Sequence, residues 1–244
     1  FSGAIYFTNK VFSPTAYRSV SFPALVNENL QIINWAIDQF EFNAYLNSMV
    51  ATYSLFIPSV STDPSSELYG KMAYLDPVSL GKKYTTAFVF RYDETAKEKE
   101  NRVRADIYDY DAETGTIDFS TSTPATADQI KNRLEDILNT HIVIGDVEDG
   151  NQFYQTKGGS VIRVSNASAG AGSMTVAGGA QIEGGKQLVV TDVYDESREG
   201  NGKTYIVEEE PLMTARQSVA DVLKSNPDFS EFFELCQTDV SVLN

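Results

Sequence analysis

Apolar residues follow strand spacing first and helical spacing afterwards in the N-terminal part of the chain. Residues 3–12 have the apolar and β-branched content of a strand, and a proline-containing linker follows over residues 14–28. From about residue 29 to residue 50, apolar residues recur every three or four positions, which predicts an amphipathic helical segment broken near Glu41. The apolar stripe of this segment comprises Ile32, Trp35, Ala36, Phe42, Tyr45, Leu46 and Met49.

The same order of strand and helix occurs again near the C-terminus. Residues 202–212 repeat the strand pattern, and a second apolar stripe then comprises Val219, Val222, Leu223, Phe229, Phe232, Phe233 and Cys236. A repeated strand-and-helix junction is typical of tandem domains. We therefore expect residues 1–28 to be the closing strand of a preceding domain plus a linker, residues 29–214 to be one whole domain, and residues 215–244 to be the opening helices of a following domain. Neither terminal piece can bury a core alone, so we expect both to pack on the central domain; the alternative is that they stay loosely ordered.

The centre of the chain alternates between short apolar runs and turn residues, as strands joined by tight turns do. The predicted strands cover residues 53–58, 84–92, 102–110 and 116–119. A charged hairpin tip at residues 95–101 and a second turn at residues 111–115 would join the last three strands into a meander of two consecutive hairpins.

A helix start is predicted at Thr126, because its hydroxyl oxygen and the side chain of Gln129 can satisfy free backbone amides reciprocally. The apolar stripe of the following helix comprises Ile130, Leu134, Ile137 and Leu138. After this helix, residues 141–208 contain short strand patterns punctuated by glycines. Helices and strands therefore fall in separate blocks, which predicts an α+β fold.

Composition narrows the classes of function. The 244 residues are 42% apolar, which is enough for a substantial core. The formal net charge is −15, so the chain repels phosphate backbones and we expect no nucleic-acid partner. No run of about 18 apolar residues occurs, so we expect no transmembrane segment. Because the chain begins at Phe1 and shows no basic-then-apolar leader, we expect it to be a trimmed portion of a longer protein.

Three segments, in order along the chain, resemble the signature boxes of the fasciclin-like domain family. Residues 53–59 resemble the first box, residues 137–145 resemble the central histidine-bearing box, and residues 201–212 resemble the closing box. The resemblance covers roughly residues 29–214. It implies a fasciclin-like wedge of short strands, as two packed sheets or a distorted barrel, with flanking helices. It departs from the family at Thr140 and Tyr205, and a strand-rich insert occupies about residues 59–124.

The resemblance also implies a function. It points to a non-enzymatic cell-surface adhesion or ligand-binding module in a tandem array, with an extracellular protein or glycan and neighbouring fasciclin-like domains as partners, and with no cofactor. It implies a place in the bacterial cell envelope, on the outer surface or in the periplasm, with any lipid anchor of lipoprotein type outside this segment. Two alternatives stay open: a carbohydrate-acting hydrolase that uses clustered carboxylates, and a calcium-dependent binding module.

The chain has one histidine, His141, and one cysteine, Cys236. Together they cannot supply the ligands of a nitrogen-and-sulfur zinc site, and a lone cysteine forms no intrachain disulfide. Cys236 belongs to an apolar stripe, so we expect it in a core. His141 lies between a helical stripe and an apolar strand, so we expect partial burial and a structural hydrogen bond. Ligand contact and a catalytic role, which any Ser-His-Asp arrangement would require of it, are the alternatives.

Aspartates and tyrosines concentrate in the predicted meander. Asp106, Asp109 and Asp118 are candidate ligands for a calcium ion or a sugar hydroxyl, with Asp106 and Asp118 expected to meet across two strands. The alternative is that they are ordinary exposed residues of a strand face. Tyr108 and Tyr110 are candidate binding residues, since tyrosine supplies contact area and a hydroxyl. The alternative is that these rings pack the meander onto the core.

Overall fold

The structure is a computed structural model, which describes residues 19–48, 50–76, 85–150, 152–195 and 200–238. Its α-helices are α1 (Phe22–Val26), α2 (Gln31–Gln39), α3 (Phe42–Leu46), α4 (Ala127–Thr140), α5 (Gly179–Glu183), α6 (Val219–Ser225) and α7 (Ser230–Thr238). Its strands are β1 (Tyr53–Pro58), β2 (Lys71–Leu75), β3 (Thr86–Tyr92), β4 (Val103–Asp111), β5 (Thr116–Pro124), β6 (Ile142–Ile144), β7 (Phe153–Gln155), β8 (Val161–Ser165), β9 (Thr175–Ala177), β10 (Leu188–Asp195) and β11 (Gly202–Val207). The predicted α+β class is confirmed. The strand predicted at residues 3–12, Met49 and Tyr84 lie outside the described residues.

Seven strands form one sheet in the order β6-β1-β11-β10-β9-β8-β7. β1 and β11 pair in parallel, and the other neighbours pair antiparallel. Thr156, directly after β7, forms a bridge with Val143 of β6, so the two ends of the sheet meet and the sheet is nearly barrel-shaped. The three segments that resemble the fasciclin-like boxes contribute β1, β6 and β11, which are neighbours in this sheet.

The other four strands form an antiparallel sheet in the order β2-β3-β4-β5. The predicted meander is confirmed, but β2 was not predicted, and β5 continues to Pro124 instead of ending at Phe119. The pairing of β4 with β5 also shifts register between Ile107 and Asp109, as at a β-bulge. The strand-rich segment therefore forms a sheet of its own. The register between β4 and β5 could not be predicted from the spacing of residues alone.

Two apolar cores hold these layers together. The first packs the helices against β1 and the four-stranded sheet, with Ile32, Ala36, Phe88 and Leu134 each at most 2% exposed. The second fills the nearly closed sheet, where the rings of Phe56 and Tyr205 stack with centroids 4.9 Å apart. The predicted stripes of α2 and α4 both face the first core, so helical periodicity identified the buried faces correctly.

Asn201 ties the N-terminal helices to the seven-stranded sheet. Its Oδ1 accepts a hydrogen bond from the backbone amide of Val20 at 3.0 Å, and its Nδ2 donates to the carbonyls of Leu46 and Ser48 at 2.5 and 3.1 Å. The side chain is buried, so it replaces water for three backbone groups at once. This amide and the hydroxyl of Thr204, which donates to the carbonyl of Val20, together hold the N-terminal helices beside β11.

The capping box predicted at the start of α4 is present. The hydroxyl of Thr126 accepts from the amide of Gln129 at 3.3 Å, and the side chain of Gln129 accepts from the amide of Thr126 at 2.9 Å. We expect Thr126→Ala to lower the free energy of unfolding by about 1 kcal/mol, because an amide of the first turn loses its acceptor. Urea unfolding would measure the change, with exposed Thr62→Ala as the matched control. Equal losses in the two variants would contradict a capping role.

The C-terminal helices expose their apolar stripe. Val219, Phe229 and Phe232 are 75%, 43% and 57% exposed, whereas Cys236 is buried as predicted. These three members of the stripe are therefore left largely uncovered by other described residues. α6 and α7 fold back on each other through a short 3₁₀ turn, Pro227–Phe229, and this contact covers only part of the stripe.

Candidate functional site

His141 is a structural link and offers no free ring nitrogen. It follows α4 directly and is 1% exposed. Its Nε2 accepts a hydrogen bond from the backbone N–H of Leu212 at 2.8 Å, so Nδ1 carries the proton and donates to the carbonyl of Ile137 at 2.6 Å. Burial lowers the pKa of His141 to about 4, opposed by the hydrogen bond to Ile137, so the ring is neutral at pH 7. The expected burial is thus complete rather than partial, and the geometry favours a structural role over ligand contact.

The candidate aspartates do not meet as expected. Asp109 lies opposite Asp118, whereas Asp106 lies opposite Pro124, because β5 is longer than predicted and its register shifts at the bulge. Asp106 instead forms an ion pair with Arg91. Hydrogen bonds from the hydroxyl and amide of Ser120 hold the pKa of Asp118 below its usual value. Within the described ranges, no three His, Cys, Asp or Glu side chains are grouped so that they would hold a metal ion.

The two candidate tyrosines have different surroundings. The ring of Tyr108 packs against Phe119 of the neighbouring strand, with centroids 5.2 Å apart. Tyr110 instead lines a cavity of about 400 Å³ between the four-stranded sheet and α5. Burial, followed by the charge of Glu210, raises the pKa of Tyr110. Tyr108 is therefore a packing residue, and only Tyr110 is placed beside a concave surface.

Polar groups beside the Tyr110 cavity already have partners. The buried side chain of Gln181 accepts from the amides of Gly178 and Met213 at 3.1 and 3.0 Å, and donates to Glu210 and to the carbonyl of Pro211 at 2.9 Å. Lys186 forms an ion pair with Glu210. A network with its hydrogen bonds satisfied in this way stabilises a junction between elements and leaves little for a ligand to bind.

The larger concave surfaces lie on either side of Trp35. One groove, of about 500 Å³, lies between α2, β4 and the start of α4, and we call it the α4 groove. The other, of about 460 Å³, lies between α1, α2, α3 and the β3–β4 hairpin tip, and we call it the α1 groove. Trp35 and Gln39 line both grooves. The partly exposed indole therefore forms a wall between two adjacent depressions.

Trp35 is held in place by two contacts. Its Nε1–H donates to the carbonyl of Lys99 at 2.7 Å, which fixes the ring against the hairpin tip. The ring of Phe40 meets it edge-on, with centroids 5.5 Å apart and planes at 85°. The indole is thus oriented before a ligand binds, which reduces the loss of side-chain entropy on binding.

The walls of the two grooves are rich in planar polar side chains. The α1 groove is lined among others by Asn34, Asp38, Asn43, Asn47, Tyr92 and Arg102. The α4 groove is lined among others by Arg91, Asn101, Arg104, Asp106, Asp128 and Lys131. Amide, carboxylate and guanidinium groups each offer several donors or acceptors in one plane, which suits ligands with many hydroxyl groups.

Sequence reasoning missed this site because Trp35 falls on the helical stripe that otherwise faces the core. A second signal at the same spacing was present. Trp35, Gln39, Asn43 and Asn47 follow one another at intervals of four residues, and although the break at Glu41 divides them between α2 and the region of α3, all four line the α1 groove. An aromatic residue followed by three amides at that spacing marks a polar face beside the buried one.

Comparisons with known proteins leave the chain without an assigned family. A scan against models of protein families finds none that matches, and a search of curated proteins finds none that is significantly similar. Among the described helices, none combines the length and apolar character that crossing a lipid bilayer requires.

Proposed function

We propose that this protein is a non-enzymatic binding module of fasciclin-like type that takes a glycan in the two grooves beside Trp35. The observation that carries the proposal is the pre-oriented indole of Trp35 between two grooves lined with amide, carboxylate and guanidinium groups. Sugar rings combine an apolar C–H face with a rim of hydroxyl groups. An aromatic surface with convergent polar groups complements both features.

The arrangement of strands supports the fasciclin-like part of the proposal. The three segments that resemble the family boxes are far apart in the sequence, yet they form the adjacent strands β6, β1 and β11. The hydrogen bond from Leu212 to His141 joins the closing segment to the central one. Motifs that are separated in the sequence are expected to lie side by side when they belong to one fold. The cell-envelope location, the tandem array and the protein partners implied by the resemblance belong to the same proposal.

The electrostatics of the described residues favour binding over hydrolysis. A glycosidase needs a carboxyl group with a raised pKa to act as general acid. Hydrogen bonds from nearby Ser or Thr groups instead lower the pKa of Asp63, Asp93, Asp118 and Asp149. His141 has both ring nitrogens occupied, so it is not placed to act as a base.

Trp35 provides both the test and its readout, because it is the only tryptophan in the chain. A glycan that stacks on the indole is expected to change the intrinsic fluorescence of the wild-type protein. Trp35→Ala is expected to weaken binding at least about tenfold, measured by calorimetry, since the stacking surface is lost. Phe153→Ala, which removes an aromatic ring 54% exposed and outside both grooves, is the matched control.

Two results would contradict the proposed function. One is the absence of binding to every member of a broad glycan array at millimolar concentration. The other is a Trp35→Ala variant that binds as tightly as the Phe153→Ala variant. Thermal unfolding of both variants establishes beforehand that each is folded under the conditions of the titration.

A further inference from the structure

The residues that line the grooves beside Trp35 have a formal net charge of +1, whereas the rest of this acidic protein has a formal net charge of −16. Five of the 19 basic residues line them, against four of the 34 acidic residues. The basic residues are Arg91, Lys99, Arg102, Arg104 and Lys131, and the acidic residues are Asp38, Glu100, Asp106 and Asp128. The remaining chain has 14 basic and 30 acidic residues, so the site is a local exception to a strongly negative surface. Such a contrast favours an anionic group at this site over other parts of the surface.

The hairpin tip between β3 and β4 places the cations beside the indole. A 3₁₀ turn, Lys99–Asn101, ends the tip. The carbonyl of Lys99 accepts hydrogen bonds from Nε1 of Trp35 at 2.7 Å and from the backbone amide of Arg102 at 3.2 Å. The carbonyl of Lys99 therefore fixes the indole of Trp35 and the backbone of Arg102 relative to each other.

Arg102 differs from two other arginines of this sheet and helix layer. Arg91 forms an ion pair with Asp106, and Arg133 forms one with Asp136 at 2.8 Å. The Nε atoms of Arg133 and Arg102 are both buried without a hydrogen-bond partner among the described residues. Arg133 Nε still lies 3.1 Å from a carboxylate oxygen of Asp76, whereas Arg102 forms no ion pair with any described residue. A buried donor with no acceptor is uncommon and costs stability. The charge of Arg102 is therefore not matched by a described carboxylate, and its side chain lines the α1 groove.

We propose that the glycan bound beside Trp35 is acidic, with a carboxylate that pairs with the guanidinium of Arg102 while the sugar ring stacks on the indole. This inference rests on the proposed glycan-binding function and adds the class of ligand. A guanidinium and a carboxylate are both planar, and they form two parallel charge-assisted hydrogen bonds. Lys99 supplies a second positive charge on the same side of the groove. Uronic acids and sialic acids carry the required group.

The experiment compares matched pairs of ligands. Oligosaccharides that contain uronic or sialic acid are titrated beside the same molecules with methyl-esterified carboxyl groups, and Trp35 fluorescence reports binding. The acids are expected to bind at least tenfold more tightly than the esters, with a preference that weakens as salt is raised from 50 to 500 mM. Arg102→Gln is expected to remove most of that preference and to leave the weaker binding of the esters in place.

Lys97→Gln is the control for charge. It removes one positive charge from the same hairpin tip at a residue that lines neither groove, so it is expected to keep the preference for the acids. Equal binding of acids and esters would overturn the inference and leave the proposed function standing. Binding confined to sulfated glycans would also overturn it, as would equal effects of Lys97→Gln and Arg102→Gln. Binding of no glycan at all would overturn both the inference and the proposed function.

Discussion

Gly202→Ala is expected to lower the free energy of unfolding by about 4 kcal/mol or more, which is the largest loss of stability that we predict for this protein. Gly202 begins β11 opposite Tyr53, at φ +142°, where residues with a side chain rarely lie. A Cβ built there would come 1.9 Å from the carbonyl oxygen of Tyr53. The parallel pairing of β1 with β11 would have to open to admit it. Urea unfolding, or loss of soluble protein, would measure the result.

Gly159→Ala separates the steric effect from backbone strain. Gly159 also has a positive φ, +85°, but a Cβ there would meet no heavy atom within 4 Å. The substitution should therefore cost only the strain of the backbone, about 1 kcal/mol. Similar losses at the two glycines would contradict the close approach of β1 to β11 and, with it, the central pairing of the seven-stranded sheet.

Acidification is expected to destabilise the protein through His141 before most carboxyl groups titrate. Burial lowers the pKa of His141 to about 4, against 6.5 in the unfolded chain. Between these values the unfolded state binds more protons, so stability is full above pH 6.5 and is lost as pH falls toward 4. The expected loss between pH 7 and pH 5 is about 2 kcal/mol. Urea unfolding at several pH values would measure it, and His141 is the only histidine that contributes.

His141→Gln provides the control for this pH dependence. The variant is expected to be less stable than the wild type at pH 7, because it alters the hydrogen bonds with Ile137 and Leu212. It should also lose the slope between pH 6.5 and pH 5, since glutamine does not titrate. Comparison with this variant cancels the change in repulsion among the many acidic residues. A slope that persists in His141→Gln would assign the pH dependence to other groups.

The features that the sequence predicted well are those with local causes. The strand at residues 53–58 ends at a proline, and the helix after Thr126 begins at a capping box, so both signals lie within a few residues of the element they define. The break near Glu41 is also local, since this residue has φ +60° between α2 and α3. Helical periodicity then identified the buried faces, because a stripe of large apolar side chains is stable only when it packs against the core.

The features that the sequence did not predict depend on partners far along the chain. Whether Asp106 meets Asp118 is decided by a bulge and by the length of β5, neither of which residue spacing reveals. The complete burial of His141 depends on Leu212, 71 residues away. Trp35 has a residue type and a spacing suited to a core. Its position at the edge of two grooves involves a hydrogen bond to the carbonyl of Lys99, 64 residues away, which the sequence does not reveal. Site residues were therefore harder to predict than elements.

The closure of the seven-stranded sheet also decides where this protein is open to unwanted association. Thr156 forms a bridge with Val143, and the amide of Lys157 donates to the carbonyl of Ile142, so backbone groups at this seam are paired within the sheet. The four-stranded sheet, by contrast, ends at β2 and β5, each of which has one neighbour among the described strands. β5 is rich in serine and threonine and contains an aspartate, a composition that discourages a second strand from adding by hydrophobic contact. At high protein concentration, we therefore expect aggregation through strand pairing to begin at the four-stranded sheet, while the seven-stranded sheet stays intact.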